Sequence, residues 1–512
     1  MHSAKLCLVL VVVVLGCGRP AGNGVPVSAL PAPAAAVDRA AATISAADVQ
    51  RRITFLASDA LKGRDTPSPG LEEAARYAAE QFRSFGLQPA GDSGTFIRRF
   101  NYTRNDLDVA ALRVEARTRG GTTTLHYGRD YFVLPARIDS VVGTPLFLGQ
   151  ARPGMTLPAD ARGRIVVAFV PDTAMSVWPQ TVIALLQAAL PGGAAGIVVV
   201  LDPLFSEEQV GNVTQQIAGQ VLPLPIVGVR HQAMVPLFRA ANLDLAAVRT
   251  RTDGAAQPLT GTVFAIRTPG SSASARPPNI VAMLSGSDPR LRAEYIVFSA
   301  HIDHVGVGRP DARGDSIYNG ADDNASGTSA VLEIAEAFAA LAEKPLRSLM
   351  FVLVSGEEKG LLGSAAFVRN PPVPMAQMVA NINIDMVGRN APDTVVAIGQ
   401  SYSSLGPAIQ NVARQQAQLG LVVAPDLWPE EQLFFRSDHF NFAAQQVPAI
   451  FFTTGLHEQY HRPGDEAHLI NNDKVARIAQ LLFRYAVALA TAPERPQWTA
   501  EGLAEMRKHT GR

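Results

Sequence analysis

Between residues 280 and 490, short and almost unbroken apolar runs alternate with helical stretches, and that alternation leaves few folds open. The runs are 294–300 (EYIVFSA), 348–355 (SLMFVLVS), 380–387 (ANINIDMV), 394–398 (TVVAI) and 448–454 (PAIFFTT). Helices are expected over 327–342 and 404–418, and a last one over about 473–490. Strands that lack polar alternation must be covered on both faces. The fold class is therefore α/β, a mostly parallel or mixed sheet sandwiched by helices. In such sheets, ligands bind beyond the carboxyl ends of the strands.

The polar residues that are costly to bury fall at those ends. His301, Asp303 and His304 follow the first run in HIDHVG, and Glu357 and Glu358 follow the second in SGEEKG. Asp385 lies near the end of the third, and His461 follows the last in YHRPGDE. Between the first two runs, NGADDNASG (319–327) sets Asp322 beside Asp323 with no cation of its own. Together with Asp323 these residues supply imidazoles and carboxylates. That donor set suits zinc or another borderline divalent ion, whereas calcium prefers oxygen alone.

The rest of the chain is organised around this region. Residues 6–16 (LCLVLVVVVLG) behind Lys5 are too short for an ordinary membrane span and fit the core of an export signal, so the chain is expected to be exported. Cys17 in VLGC resembles a lipobox, which would make a bacterial outer-membrane or periplasmic lipoprotein, while ordinary cleavage would release the chain. Residues 18–45, rich in Ala and Pro, read as a flexible tether after a 1–17 signal segment. Helical spacing from 46, including LEEAARYAAEQFRSF (71–85), makes 46–139 the N-terminal part of the catalytic domain. Short β-rich runs at 165–170 and 197–201 mark 140–262 as an inserted smaller domain, followed by a linker at 263–279. The main domain fills 280–492, and 493–512 reads as a polar tail. Lys+Arg and Asp+Glu are equal at 45 each, so nothing in the charge balance argues for nucleic acid or an anionic membrane. Membrane contact is expected only through an N-terminal lipid anchor.

The ordered motifs H-x-D, G-A-D-D-N-A-S-G, G-E-E, N-I-D-M-V-G and Y-H resemble the co-catalytic di-zinc aminopeptidases, which share a fold with glutamate carboxypeptidase, the transferrin receptor and the glutaminyl cyclases. The segment FLASDALKGR (55–64) looks similar too, and the position of 140–262 resembles a protease-associated domain. The resemblance implies two Zn2+ per subunit and peptide substrates. It makes His301 and Asp385 ligands of one ion, Glu358 and His461 ligands of the other, and Asp323 the bridge. Glu357 would be the general base acting on a water between the ions, and Tyr460 would assist the tetrahedral intermediate. Asp303 is expected to accept from the far ring nitrogen of His301 and fix its tautomer.

A carboxypeptidase or dipeptidase of the same fold remains open, since a metal core does not choose the peptide terminus. A glutaminyl-cyclase-like transferase or a receptor-like binding protein would be expected to have lost ligands. His304, His439, His457 and His468 are read as supporting or surface residues, and Asp438 and Asp465 as fixing loops around the site. Arg436 could hold a substrate carbonyl or form an ordinary salt bridge. The stretch TPGSSASA (268–275) reads as linker, because no Gly-Lys-Ser/Thr follows it.

Overall fold

The computed structural model describes residues 34–134, 136–152, 154–170, 178–204, 222–248 and 256–510. The export segment 1–17, with Cys17, and the first part of the 18–45 tether lie outside them. No helix of the described residues is long and apolar enough to cross a membrane.

The apolar runs form Tyr295–His301, Ser348–Val354, Met378–Ile384, Thr394–Ile398 and Ala449–Thr453. They belong to a mixed sheet ordered Gln88–Pro89, Pro278–Leu284, Ser348–Val354, Tyr295–His301, Met378–Ile384, Ala449–Thr453, Thr394–Ile398 and Val422–Ala424. Ile97–Arg99 also pairs with Pro278–Leu284. The four strands from Ser348–Val354 to Ala449–Thr453 are mutually parallel, while their outer neighbours join antiparallel. The carboxyl ends of the parallel four therefore share one edge, where His301, Ser355, Asp385 and Thr454 emerge.

Both faces of the sheet are covered, as unbroken apolar strands require. Ile280, Phe298, Phe351, Ile382 and Phe452 pack under the helices Ala46–Leu56, Pro69–Ser84, Gly327–Ala340 and Asn472–Thr491. The rings of Phe298 and Phe351 stack at 5.7 Å. Val281, Val297, Met350 and Val352 meet Phe367 and Phe442 from Leu362–Arg369 and His439–Ala443 on the other face. Each side chain so buried contributes about 1.5–3 kcal/mol. The Gly327–Ala340 helix is buried on nearly every side, and its Glu333 is matched by buried Arg52 at 2.9 Å. Unpaired, either charge would cost several kcal/mol in that position.

Several boundaries differ from the sequence reading. The inserted unit is larger than 140–262. Tyr102–Leu107 pairs antiparallel with Gly270–Ala275 as a ribbon, and between these strands lie two sheets. One is ordered Gln257–Pro258, Pro145–Gln150, Ile165–Phe169, Gly196–Leu201, Ile226–Arg230, Tyr131–Leu134, and the other Gly121–Leu125, Arg113–Thr118, Val263–Arg267, Ser140–Gly143. The 263–279 linker is thus strand for most of its length. Its Ser- and Ala-rich ribbon gives no apolar signal because it is solvated. The tether ends earlier than 45, since Ala34–Ala41 is a helix whose Val37, Ala40 and Ala41 are buried. The expected polar tail is also docked: Ala500–Thr510 is helical, Met506 is buried, and the Trp498 indole donates to the Gln446 carbonyl at 3.0 Å. Polar and ring contacts add to these anchors: Glu501 accepts from the Ser401 hydroxyl at 3.0 Å, and the His509 ring stacks on Phe435 at 3.6 Å.

Candidate metal centre

NGADDNASG is the hub of the site. Gly320 takes a left-handed turn (φ 60°), Ala321–Ser326 forms a wide turn whose backbone leaves helical geometry at Asp323 and Asn324, and Gly327 opens the long buried helix. A Cβ on Gly320 would meet the His304 ring at 2.5 Å, so only glycine lets the turn and that imidazole share the space. The two acids face different partners. Asp322 Oδ1 accepts from the Gly388 amide at 2.6 Å, and its other oxygen lies 3.3 Å from His457 Nε2. Asp323 faces the opposite way.

Asp323 Oδ1 lies 3.1 Å from His301 Nε2, and Oδ2 lies 3.1 Å from His461 Nε2. Asp385 Oδ1 completes the first group, 3.2 Å from His301 Nε2. Glu358 Oε2 completes the second, 3.0 Å from His461 Nε2. One carboxylate therefore spans two donor groups, His301–Asp323–Asp385 and Glu358–Asp323–His461. All five sequence-predicted ligand residues meet here, and their candidate ligand atoms lie within 4.8 Å of one another inside each group.

The donor chemistry fits a cation. His461 Nε2 sits 3.0–3.1 Å from two carboxylate oxygens yet makes no aligned hydrogen bond, as expected of lone pairs converging on one point. Burial lowers the His461 pKa, but Glu358 and Asp323 overcome it and raise the imidazole to about 10. Burial likewise raises Glu358, and His461 chiefly pulls it back to about 2. Asp323, opposed by burial, is held well below the carboxylate range by His304, His301 and His461. Without an ion, His301 and His461 must carry protons to satisfy these acids. A bound dication supplies that charge instead.

Glu357 stands beside Glu358 at the strand end, and burial, opposed by His301 and reinforced by Glu358, raises its carboxyl well above the usual range. It also forms a third close grouping with His301 and Glu358. Tyr460 stacks on the His461 ring at 3.9 Å. Burial pushes its phenol up, so it remains a donor.

The Asp303 expectation needs correction. His301 Nδ1 meets the Asp303 backbone carbonyl at 3.1 Å, with the carboxylate farther away at 3.8 Å. The carboxylate is drawn elsewhere, accepting from the Thr66 hydroxyl at 3.0 Å and the Glu357 amide at 3.4 Å. The main-chain oxygen still places the proton on Nδ1 and leaves Nε2 free.

Supporting residues complete the frame. Alternation in ANINIDMV puts Asn381, Asn383 and Asp385 on one face of their strand. There Ser299 donates to Asn383 (2.7 Å), Asn383 to Ser437 (2.9 Å), and Ser437 to Asp385 Oδ2 (2.8 Å). The Asp465 carboxylate accepts from the amides of Asp322 and Asp323 at 3.0 Å each. Sequence reading singled out neither Ser437 nor Thr66, although asparagines at i and i+2 in an apolar strand were a usable signal.

His468 is exposed, and Arg436 pairs with Glu431 at 3.1 Å on the rim. His439 is fully buried between Phe434 and Phe451, and burial depresses its pKa to about 3. Its folded pKa lies below the ordinary 6.5, so acid favours the unfolded chain. The neutral ring's contribution is complete above 6.5 and is lost as the pH falls toward 3. Between pH 6.5 and 5 this group alone costs about 2 kcal/mol. Denaturant unfolding should show that extra loss in the wild type and not in His439→Leu.

Residues 279–486 match the model of peptidase family M28. A probable zinc metalloprotease of Pyrenophora tritici-repentis is 37% identical over 248 residues, 43% of this chain and 56% of that protein. Leupeptin-inactivating enzyme 1 of Streptomyces exfoliatus is 30% identical over 171 residues, 33% of this chain and 34% of that protein. The chain thus spans about half or less of the length of these two relatives. Among solved structures, an aminopeptidase from Aneurinibacillus sp. strain AM-1 superposes with a TM-score of 0.59 at 17% identity, covering 90% of this chain and 97% of that one. A zinc aminopeptidase from Bacillus subtilis gives 0.51 at 16%, covering 86% and 94%. Matching motifs, a shared fold and a converging donor set agree with the similarity of residues 279–486 to peptidase family M28.

Proposed function

We propose that the chain is an exported zinc aminopeptidase that hydrolyses N-terminal residues from peptides at a two-ion centre. The observation that carries this reading is Asp323, whose two oxygens face the two histidine groups 3.1 Å away on either side. His301, Asp323 and Asp385 would hold one ion, and Asp323, Glu358 and His461 the other. Bound zinc supplies Lewis acidity, lowering the pKa of water and stabilising negative charge on a peptide carbonyl. Glu357, at the cleft floor, takes the proton of the attacking water and hands it to the leaving amine. Tyr460, lining the same cleft, donates toward the developing oxyanion.

The choice of peptide terminus rests on charge. The cleft floor carries Asp323, Glu357 and Asp385, while Arg436 on its wall is already engaged by Glu431. With Asp323 and Asp385 taken up by the ions, Glu357 is the acid left in the cleft to meet a free α-amine, and Arg436, paired with Glu431, is not free to meet a terminal carboxylate. Met386, Leu433, Phe451 and Leu456 form an apolar wall beside them that suits an uncharged side chain.

On a panel of aminoacyl chromogenic substrates, activity should fall to background after chelation and return with zinc. N-acetylation should lower kcat/KM by roughly 10–100-fold through loss of a charged hydrogen bond. Preference for N-blocked peptides with a free carboxylate would replace this reading with a carboxypeptidase. Activity untouched by chelation would end the metal reading altogether.

A further inference from the structure

Tyr460 and His461 reach the centre on an irregular segment, residues 454–461, that follows the Ala449–Thr453 strand. His461 sits at positive φ (55°), a conformation that a residue with a side chain keeps only where its surroundings impose it. Asn390 moors the start of the segment, donating to the carbonyls of Thr454 (2.8 Å), Gly455 (3.2 Å) and Leu456 (3.2 Å). The part that carries Tyr460 turns on His457. Its carbonyl accepts from the Tyr460 amide at 3.0 Å, and its Nδ1 accepts from the Gln459 amide at 3.2 Å.

With Nδ1 accepting, the ring proton lies on Nε2, which faces Asp322 Oδ2 at 3.3 Å. The two side chains are 3% and 0% exposed, and neither of these atoms has a hydrogen-bond partner elsewhere. Asp322 Oδ1 is occupied by the Gly388 amide, so its second oxygen is left for the imidazole. The neighbouring Asp323 is the carboxylate that spans both donor groups. One pair of adjacent acids therefore holds the bridge on one side chain and the Tyr460 segment on the other.

We propose that His457, held by Asp322, is a positioning residue that sets the Tyr460 hydroxyl over the cleft. Its rigid ring spans from the Gln459 amide to a carboxylate on another segment, and so ties the Tyr460 turn to the turn that carries Asp323. This rests on the role given to Tyr460 above. A misplacement of about 1 Å at a reacting centre can cost on the order of 100-fold in rate.

The full chain is compared with His457→Asn and His457→Gln. Asparagine puts its amide oxygen where Nδ1 stood, keeping the Gln459 contact and giving up Asp322, whereas glutamine reaches Asp322 and gives up Gln459. His457→Asn should lower kcat at least about 10-fold with KM within about twofold and metal content unchanged, and His457→Gln should stay within about threefold of the wild type. In a Tyr460→Phe background the Asn substitution should cost less than about twofold, because no hydroxyl is left to misplace. Hydrogen exchange of residues 454–461 in the chelator-stripped chain should quicken about 10-fold or more in His457→Asn, the scale of one hydrogen bond to a charged acceptor.

Wild-type kcat and exchange in His457→Asn overturn the proposal. So does an equal loss of kcat in the Tyr460→Phe background, or a loss that follows lost metal, since His457 then supports the fold or the ions rather than Tyr460. A wild type whose activity survives chelation overturns the function reading alone, and the exchange of the metal-free chain still judges the tie to Asp322. If His457→Asn does not fold, His457→Gln decides: kcat within about threefold supports the tie, and a larger loss with metal intact overturns it.

Discussion

Glu357→Gln should lower kcat by about 100- to 10,000-fold with little change in KM and no loss of metal. Glutamine keeps the shape of the side chain and the amide that donates to Asp303 Oδ1, so the strand end holding Glu358 is undisturbed. Only the capacity to accept and return a proton is removed. Burial raises the Glu357 carboxyl well above its ordinary value, consistent with a base meant to hold a proton for part of a cycle. Metal content must be measured on the same sample, because Glu357 also stands near His301 and Glu358. Activity within tenfold of the wild type would remove Glu357 from the mechanism. A full loss of activity accompanied by lost metal would make it a ligand instead.

The sequence was most legible where chemistry and periodicity agree. Runs such as SLMFVLVS have one stable environment, a sheet covered on both faces, and the residues directly after them had to emerge at one edge. That logic located His301, Glu357, Glu358 and Asp385 from their positions in the chain. It could not rank His304 above His439. Both are single histidines near a motif, yet one points among carboxylates and the other sits between two phenyl rings. The difference is set by tertiary neighbours from other segments.

Boundaries were least legible where a segment is solvated or held by few anchors. The Gly270–Ala275 ribbon exposes nearly every side chain, so small polar residues imitate a linker. The 500–510 helix is anchored by Met506, by Trp498 just before it, by the His509 ring on Phe435 and by Glu501 accepting from Ser401, a mixture with no apolar periodicity to register in the sequence. Asp303 shows a further limit. Its spacing from His301 correctly placed it beside the Nδ1 nitrogen, but whether the carbonyl or the carboxylate makes the contact depends on Thr66, far away in sequence.

Arg64 carries the same lesson into energetics. It ends FLASDALKGR, whose turn keeps Lys62, Gly63 and Arg64 at positive φ and presses Gly63 so close to Tyr318 and Gly306 that a Cβ would lie 2.4–2.5 Å from their carbonyl oxygens. The guanidinium, 1% exposed, donates to the carbonyls of Ile302 (2.8 Å), Asn319 (2.8 Å), Gly320 (3.0 Å) and Leu56. It thereby ties the HIDH and NGADD segments to the N-terminal helix. Burial lowers its pKa to about 10 against the pull of Asp303, Asp323, Asp465 and Glu358, so it stays charged at neutral pH and offsets part of their repulsion. Arg64→Met strands those carbonyls without a donor and leaves the acids uncompensated. It should cost about 3–5 kcal/mol of unfolding free energy. Arg64→Lys should recover only part, because a point charge on a flexible stem cannot fork to three segments at once. Denaturant unfolding should show the larger loss in the metal-stripped protein, where no dication shares the task. A cost below about 1 kcal/mol would break this account, as would a lysine variant equal to the wild type.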